Sequence, residues 1–256
     1  MSRIAQKFEA LKREGRKALV GFLMAGDPDL AGAERHIREA LENGLDVLEL
    51  GVPFSDPTAD GPVIQAAGQR ALAAGIRLSN VLALVASLRR DFTTPIVLFG
   101  YANPFLTYGY ARLAADAATA GADGFLVVDL PFEESGELRH HLDAHALDLI
   151  ALVAPTTSEE RARRILQGAR GFVYYIMVKG VTGVRAAVAG DLADHLRRLR
   201  QCTALPIAAG FGVSNDAQAQ AVAAVADGVV VGSALVEAAS QGKLGPLVRQ
   251  LRAVLG

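Results

Sequence analysis

Two acidic residues and two glycine-rich turns are the parts of this sequence with the most chemistry to offer. Glu49 stands in Asp46-Val47-Leu48-Glu49-Leu50-Gly51, where an apolar run carries a single carboxylate between leucines near its C-terminal end. Burial at such a position disfavours the charged form and raises the pKa, which suits a group that exchanges protons with a substrate. The plain alternative is a glutamate at a strand end, turned to solvent or paired with a lysine. Asp60 follows in Pro57-Thr58-Ala59-Asp60-Gly61-Pro62, whose prolines and glycine restrict the backbone. Aspartates in turns ordinarily serve local hydrogen bonding. An acceptor-only carboxylate can also hold an N–H that becomes more acidic in a transition state.

The glycine-rich turns are Ala209-Gly210-Phe211-Gly212-Val213-Ser214 and Val231-Gly232-Ser233-Ala234, each following an apolar run. Glycines there either make tight turns or let backbone amides approach an anion. With Ser233 capping a short helix after Gly232, the positive helix end favours a phosphate. Phe22, Tyr101, Tyr174 and Phe211 lie in or near the ends of different apolar runs, where they can enclose a flat apolar group. Asp129, in Val128-Asp129-Leu130-Pro131, either faces the same region or caps a helix. His36, His140, His141, His145 and His195 all fall in helical patterns, which argues against a metal-dependent reaction. Cys202 has no neighbouring base in sequence and reads as packing.

The elements that must position these residues alternate in type. Apolar runs occur at residues 19–24, 47–50, 96–99, 125–128, 149–153, 172–177, 207–209 and 229–231. Between them, sets such as Val81, Leu82, Val85 and Leu88, or Leu138, Leu142 and Leu147, follow helical spacing. Continuous apolar strands alternating with amphipathic helices imply a parallel sheet covered by its crossovers. Eight such units predict an α/β fold of the (β/α)8 TIM-barrel type, one domain over residues 1–256, with a short extra helix where Ile4, Phe8 and Leu11 recur. No GxGxxG follows the first run, which disfavours a doubly wound open sheet. In a barrel, the loops at residues 51–61 and 180–190 fall on the catalytic face, and small residues in the second suggest mobility.

Bulk properties remove other classes of function. The 256 residues carry a net charge of -1, so neither a nucleic-acid backbone nor an anionic membrane is an expected partner. Apolar stretches are interrupted, as at Asp227-Gly228, before reaching the length of a membrane span. One cysteine excludes an internal disulfide, no CxxC or CxxH spacing suggests a metal, and a cytoplasmic setting is expected.

The string Leu48-Glu49-Leu50-Gly51-Val52-Pro53-Phe54-Ser55-Asp56-Pro57, followed by Ala59-Asp60-Gly61-Pro62 and Ile64-Gln65, closely resembles the tryptophan synthase α subunit family. Gly26-Asp27-Pro28, Tyr101-Ala102-Asn103-Pro104, Asp129-Leu130-Pro131, Gly180-Val181-Thr182-Gly183, Gly210-Phe211-Gly212 and Gly232-Ser233 match in the same order. The resemblance implies a lyase that splits indole-3-glycerol phosphate into indole and glyceraldehyde 3-phosphate, with Glu49 and Asp60 catalytic. It further implies that Phe22, Tyr101, Leu126, Tyr174 and Phe211 line an indole pocket, with Phe99 and Leu152 beside them. Thr182 would reach Asp60 on loop closure, and amides around Gly183, Gly212, Gly232 and Ser233 would hold the phosphate. Pro53, Phe54, Ser55, Asp56 and Pro57 would touch a β subunit in an αββα complex. That partner would carry pyridoxal phosphate, with no cofactor or metal in this chain. Thr58 stands where many members have leucine, and Met177-Val178-Lys179 departs from the small or hydroxyl-bearing residues usual there. A stand-alone indole-releasing lyase and a non-catalytic allosteric partner are the alternatives. A sugar-phosphate isomerase fits less well, because the fifth run ends in Val153-Ala154-Pro155 without an acid.

Overall fold

The computed structural model describes residues 1–177, 185–210 and 212–256, the side chains of 185–191 excepted. Nine parallel strands are seen among them: β1 (Ala18–Met24), β2 (Val47–Gly51), β3 (Ile96–Gly100), β4 (Gly124–Val127), β5 (Asp148–Leu149), β6 (Ala151–Val153), β7 (Val173–Ile176), β8 (Ile207–Gly210) and β9 (Gly228–Val231). Eight apolar runs give nine segments because the fifth run breaks at Ile150. Its first half pairs with β4 and its second with β7. The sheet order β5-β4-β3-β2-β1-β9-β8-β7-β6 therefore begins and ends on one run, and the sheet curls into a nearly closed barrel. At the break, the Ile150 amide donates to Phe125 O at 2.8 Å.

Alternate strand residues face the barrel interior. Ala18, Val20, Val47, Val97, Leu126, Ile150, Phe172, Ala208 and Val230 form its lower layers. Helix α1 (Arg3–Arg13) closes the N-terminal end with Ile4, Phe8 and Leu11, and the Phe8 ring lies 5.5 Å from that of Phe172. The opposite residues of each strand pack against an outer ring formed by α2 (Leu30–Glu42), α3 (Pro62–Ala73), α4 (Leu78–Leu88), α5 (Ala102–Tyr108), α6 (Tyr110–Ala120), α7 (Gly136–Ala144), α8 (Glu159–Leu166), α9 (Arg185–Arg200), α10 (Asp216–Ala223), α11 (Ser233–Ser240) and α12 (Leu244–Val254). The five histidines lie in these helices, except that His145 sits just past the end of α7.

Of the loop expected across residues 180–190, residues 185–190 are instead the start of α9, and 180–184 lie outside the described residues. Ala186, Ala187 and Ala189 suit that helix, since alanine is the best helix former.

Aspartates at the N-terminal end of the barrel share one arrangement that the sequence reading did not identify. Asp46, just before β2, accepts the Leu19 amide of β1 at 2.9 Å. Asp123 does the same for Ile96 of β3 at 2.8 Å, and Asp227 for Ile207 of β8 at 2.9 Å. Each also meets an arginine: Arg252, Arg89 and Arg200 respectively. A strand-entry amide, otherwise left without a ladder partner, is satisfied by the neighbouring strand's leading carboxylate, whose charge is matched in turn.

Candidate active site

Strand register assembles the upper interior. Phe22 of β1 stands opposite Glu49 of β2, Gly51 opposite Phe99 of β3, Phe99 opposite Leu126 of β4, and Leu152 of β6 opposite Tyr174 of β7. Phe22 meets Phe99 edge to face, with ring centroids 5.1 Å apart. Gly51 makes this possible, since a Cβ there would fall 2.4 Å from Phe22 Cζ. Leu126 is fully buried and packs with Val97 and Ile150, so it forms the floor beneath these rings.

Glu49 is 1% exposed, and among the described residues neither carboxylate oxygen has a hydrogen-bond partner. Desolvation alone pushes its pKa to about 8, so the carboxyl is mostly protonated at neutral pH. Its neighbours in register are Phe22 and Val97, and among the described residues no counter-ion offsets the burial. This placement excludes the solvent-facing alternative, and no lysine among the described residues pairs with Glu49.

Asp60 lies in the loop between β2 and α3 and is half-buried. Burial raises its pKa to about 6, with the Tyr101 hydroxyl pulling the other way, so at neutral pH it is mostly ionised. Both carboxyls act on Tyr174. Its hydroxyl is pushed well above the ordinary tyrosine value by burial first, then by the charges of Glu49 and Asp60. Burial thus separates the proton affinities of the two carboxyls, the pattern that divides roles between an acid and an ionised group.

Tyr101 sits at the N-cap of α5, and its hydroxyl accepts the Ala59 amide at 3.0 Å. It thereby anchors the loop that carries Asp60. Asp129 resolves as a cap: its Oδ1 accepts the Ala102 amide at 2.7 Å, at the first turn of α5. Cys202 is half-buried, with its Sγ near the Arg198 and Glu159 carbonyls, as packing requires.

On the far side of the mouth, α11 starts at Ser233 with Gly232 as its N-cap. Ser233 is therefore the first helical residue rather than the cap, because the backbone leaves helical geometry one residue earlier than expected. Amides at the start of α11 have no intrahelical acceptor and point out of the helix end. A Cβ on Gly232 would meet only Ile64 at 3.6 Å and Phe22 at 3.7 Å, which leaves the turn open. Gly212 has φ of +75° and nothing within 4 Å of a Cβ position, a conformation that favours glycine. Thr182, Gly183 and Phe211 lie outside the described residues.

Three lining residues escaped the sequence reading. Ile64, at the start of α3, reaches over Gly232. Val128 packs with Leu152 and Tyr174 on the barrel interior, and Ile176 joins Val128 and Leu152 at a cavity of about 310 Å³ that neither Glu49 nor Asp60 lines. Strand alternation contains the signal for two of them, since Val128 is two residues beyond Leu126 and Ile176 two beyond Tyr174. A larger hollow of about 780 Å³ opens at the opposite end beside α1, and none of the residues with candidate chemistry lines it.

The candidate partner loop is graded in exposure. Pro53 is buried, Phe54 and Pro57 are half-buried, and Ser55, Asp56 and Thr58 face solvent. Phe54 rests on the Tyr101 ring at 5.2 Å.

Comparison with known proteins agrees with this geometry over nearly the whole chain. The family model described as tryptophan synthase alpha chain matches residues 8–251. The tryptophan synthase alpha chain of Geobacter sulfurreducens is 52% identical over 237 residues, covering 93% of this chain and 90% of that protein. A crystal structure of tryptophan synthase subunit alpha from Legionella pneumophila superposes with a TM-score of 0.91 at 38% identity, covering 100% of this chain and 98% of the other. Tryptophan synthase from M. tuberculosis in an aminoacrylate-bound form gives 0.91 at 34% identity, with 100% of both chains covered. With the match running from Phe8 in the barrel plug to Leu251 in the last helix, the chain belongs to the tryptophan synthase alpha chain family.

Proposed function

We infer that this chain cleaves indole-3-glycerol phosphate into indole and glyceraldehyde 3-phosphate, as the α component of a tryptophan synthase. The observation that carries the mechanism is the burial of the Glu49 carboxyl in an apolar wall, with no hydrogen-bond partner among the described residues, which raises its pKa. Glu49 donates its proton to the indole carbon bearing the glycerol chain, which turns the ring into an electron sink. The resulting carboxylate takes the proton of the adjacent hydroxyl. The carbon–carbon bond then breaks, its electrons restore the indole ring, and the aldehyde forms with Glu49 protonated again. Asp60, ionised, holds the indole N–H as positive charge develops there. No water is consumed, and no step passes through a metal or organic cofactor.

Phe22, Phe99, Tyr174 and Leu152 enclose the indole above the Leu126 floor. Tyr101 stands at the edge of this pocket, on the Asp60 side. Amides at Gly212, Gly232 and Ser233 hold the phosphate at the positive end of α11. Gly183 and Phe211 are assigned to phosphate and indole, and Thr182 to closure over Asp60, on family resemblance.

An α chain works with a β chain. We assign the contact to Pro53, Phe54, Ser55, Asp56 and Pro57, in an αββα assembly whose β subunits use pyridoxal phosphate to consume the indole. Among the described residues no single helix is long and apolar enough to cross a membrane, and a cytoplasmic location is proposed. The test is indole release from indole-3-glycerol phosphate by the purified chain, alone and with a β subunit. Release that rises with the partner supports the reading. Equal release without it favours a stand-alone lyase, and no release in either case contradicts the assignment.

A further inference from the structure

Tyr101 touches the loop that carries Asp60 at two points, the Phe54 ring and the Ala59 amide. The Tyr101 side chain is 2% exposed and is held from two sides. Its backbone forms the N-cap of α5, a helix start fixed by Asp129 on the Ala102 amide at 2.7 Å. Its ring lies 5.2 Å from that of Phe54. The hydroxyl accepts the Ala59 amide at 3.0 Å, and a phenol oxygen that receives an N–H keeps its own proton free to donate. Asp60 is the next residue in the chain. From the other side, the Gln65 side-chain amide donates to Asp60 O at 2.9 Å and to Pro57 O at 3.4 Å, which fixes the loop backbone while leaving the carboxylate free.

We propose that Tyr101 is the positioning residue for Asp60: its hydroxyl pins the Ala59 amide and turns its own proton to the carboxylate, fixing both its orientation and its charge. The proposal rests on the role given to Asp60 above. A hydrogen bond to the ionised form favours that form, so Tyr101 opposes the effect of burial. The reciprocal effect is present, since the Tyr101 hydroxyl is raised to about 12, by burial first and with the Asp60 charge contributing. With the proton on Tyr101 and the charge on Asp60 across the neutral range, the carboxylate is ready for the indole N–H before substrate arrives. Because Phe54 packs on the same ring, displacement of the loop is felt at Asp60 through Tyr101.

Tyr101→Phe keeps the ring, its packing on Phe54 and the start of α5, and removes only the oxygen. The experiment compares this variant with the unaltered chain in two ways. One is a carbon-13 titration of the Asp60 carboxyl, assigned by its loss in Asp60→Asn. The other is kcat and KM for indole release with a β subunit, across about pH 5 to 8. The expected result is an Asp60 proton affinity about tenfold tighter in Tyr101→Phe, the acid limb of kcat displaced upward with it, and KM nearly unchanged. Comparing the two proteins on the same substrate cancels the titration of the substrate phosphate.

A merely structural tyrosine would lower the unfolding temperature and leave the Asp60 titration in place, which would overturn the proposal. Asp60→Asn with full turnover would remove the role of Asp60, and the proposal with it. An inactive Asp60→Asn beside an unshifted Tyr101→Phe would overturn the Tyr101 proposal alone.

Discussion

Replacing Glu49 by glutamine is expected to lower kcat for indole release by ~100- to ~10,000-fold while leaving substrate affinity nearly unchanged, the range for loss of a positioned general acid. Glutamine has the shape of the protonated carboxyl, so the pocket between Phe22 and Val97 keeps its form. What disappears is the transferable proton, which matters in the transition state and little in the ground state. Stability should move in the opposite direction. The folded-state pKa of about 8 lies above the ordinary glutamate value of 4.5, so the folded chain holds the Glu49 proton where the unfolded chain releases it. Stability from this group is fully present below 4.5 and is lost as pH rises through about 8. Glu49→Gln does not titrate and escapes that loss, so its advantage over the unaltered chain grows through this window. Thermal unfolding at acid and alkaline pH checks the stability arm. Equal losses of binding and turnover would make Glu49 structural instead.

At the other end of the barrel, Asp123→Ala is expected to destabilise the fold by about 3–5 kcal/mol, the usual cost of removing one partner of a buried ion pair. The Asp123 side chain is 3% exposed and joins three groups: Arg89 at 2.9 Å, Arg3 at 2.7 Å and the Ile96 amide at 2.8 Å. Its loss strands a largely buried guanidinium and leaves a strand-entry amide without an acceptor, each costly in a low-dielectric setting. Arg3 is 45% exposed and contributes less, because solvent screens it. For a chain of this size the melting temperature should fall by roughly 10 °C. Asp123→Asn, which keeps the acceptor for Ile96, should lose less. A change below about 1 kcal/mol in denaturant unfolding of Asp123→Ala would contradict the assignment.

The parts of the fold legible in the sequence were those set by periodicity. Doubly buried parallel strands read as unbroken apolar runs, and all eight runs mark strand positions, including the one split at Ile150. Ile4, Phe8 and Leu11 announced α1, although not that it plugs the barrel. Glu49 was legible because a lone carboxylate in such a run contradicts its surroundings. Its side of the strand followed only from the barrel, in which odd residues of β2 face inward. Asp60 and Tyr101 show what was hidden. Residues 41 positions apart meet only when β2 and β3 lie side by side, so neither turn chemistry nor aromatic content reveals the contact. Asp129 kept two readings in sequence because the helix it caps, α5, begins 27 residues earlier. The carboxylates of Asp46, Asp123 and Asp227 were equally invisible as a set, since each serves the preceding strand rather than its own.

The pH dependence of kcat/KM for indole release, in the presence of a β subunit and extended to about pH 9.5, tests the central claim most directly. If Glu49 must enter the reaction protonated, activity falls as pH rises through about 8, whereas Asp60 and the substrate phosphate affect only the acid side. A declining alkaline limb near 8 is the predicted result. Activity that stays level beyond about pH 9 would mean that Glu49 is not the acid, whatever its burial.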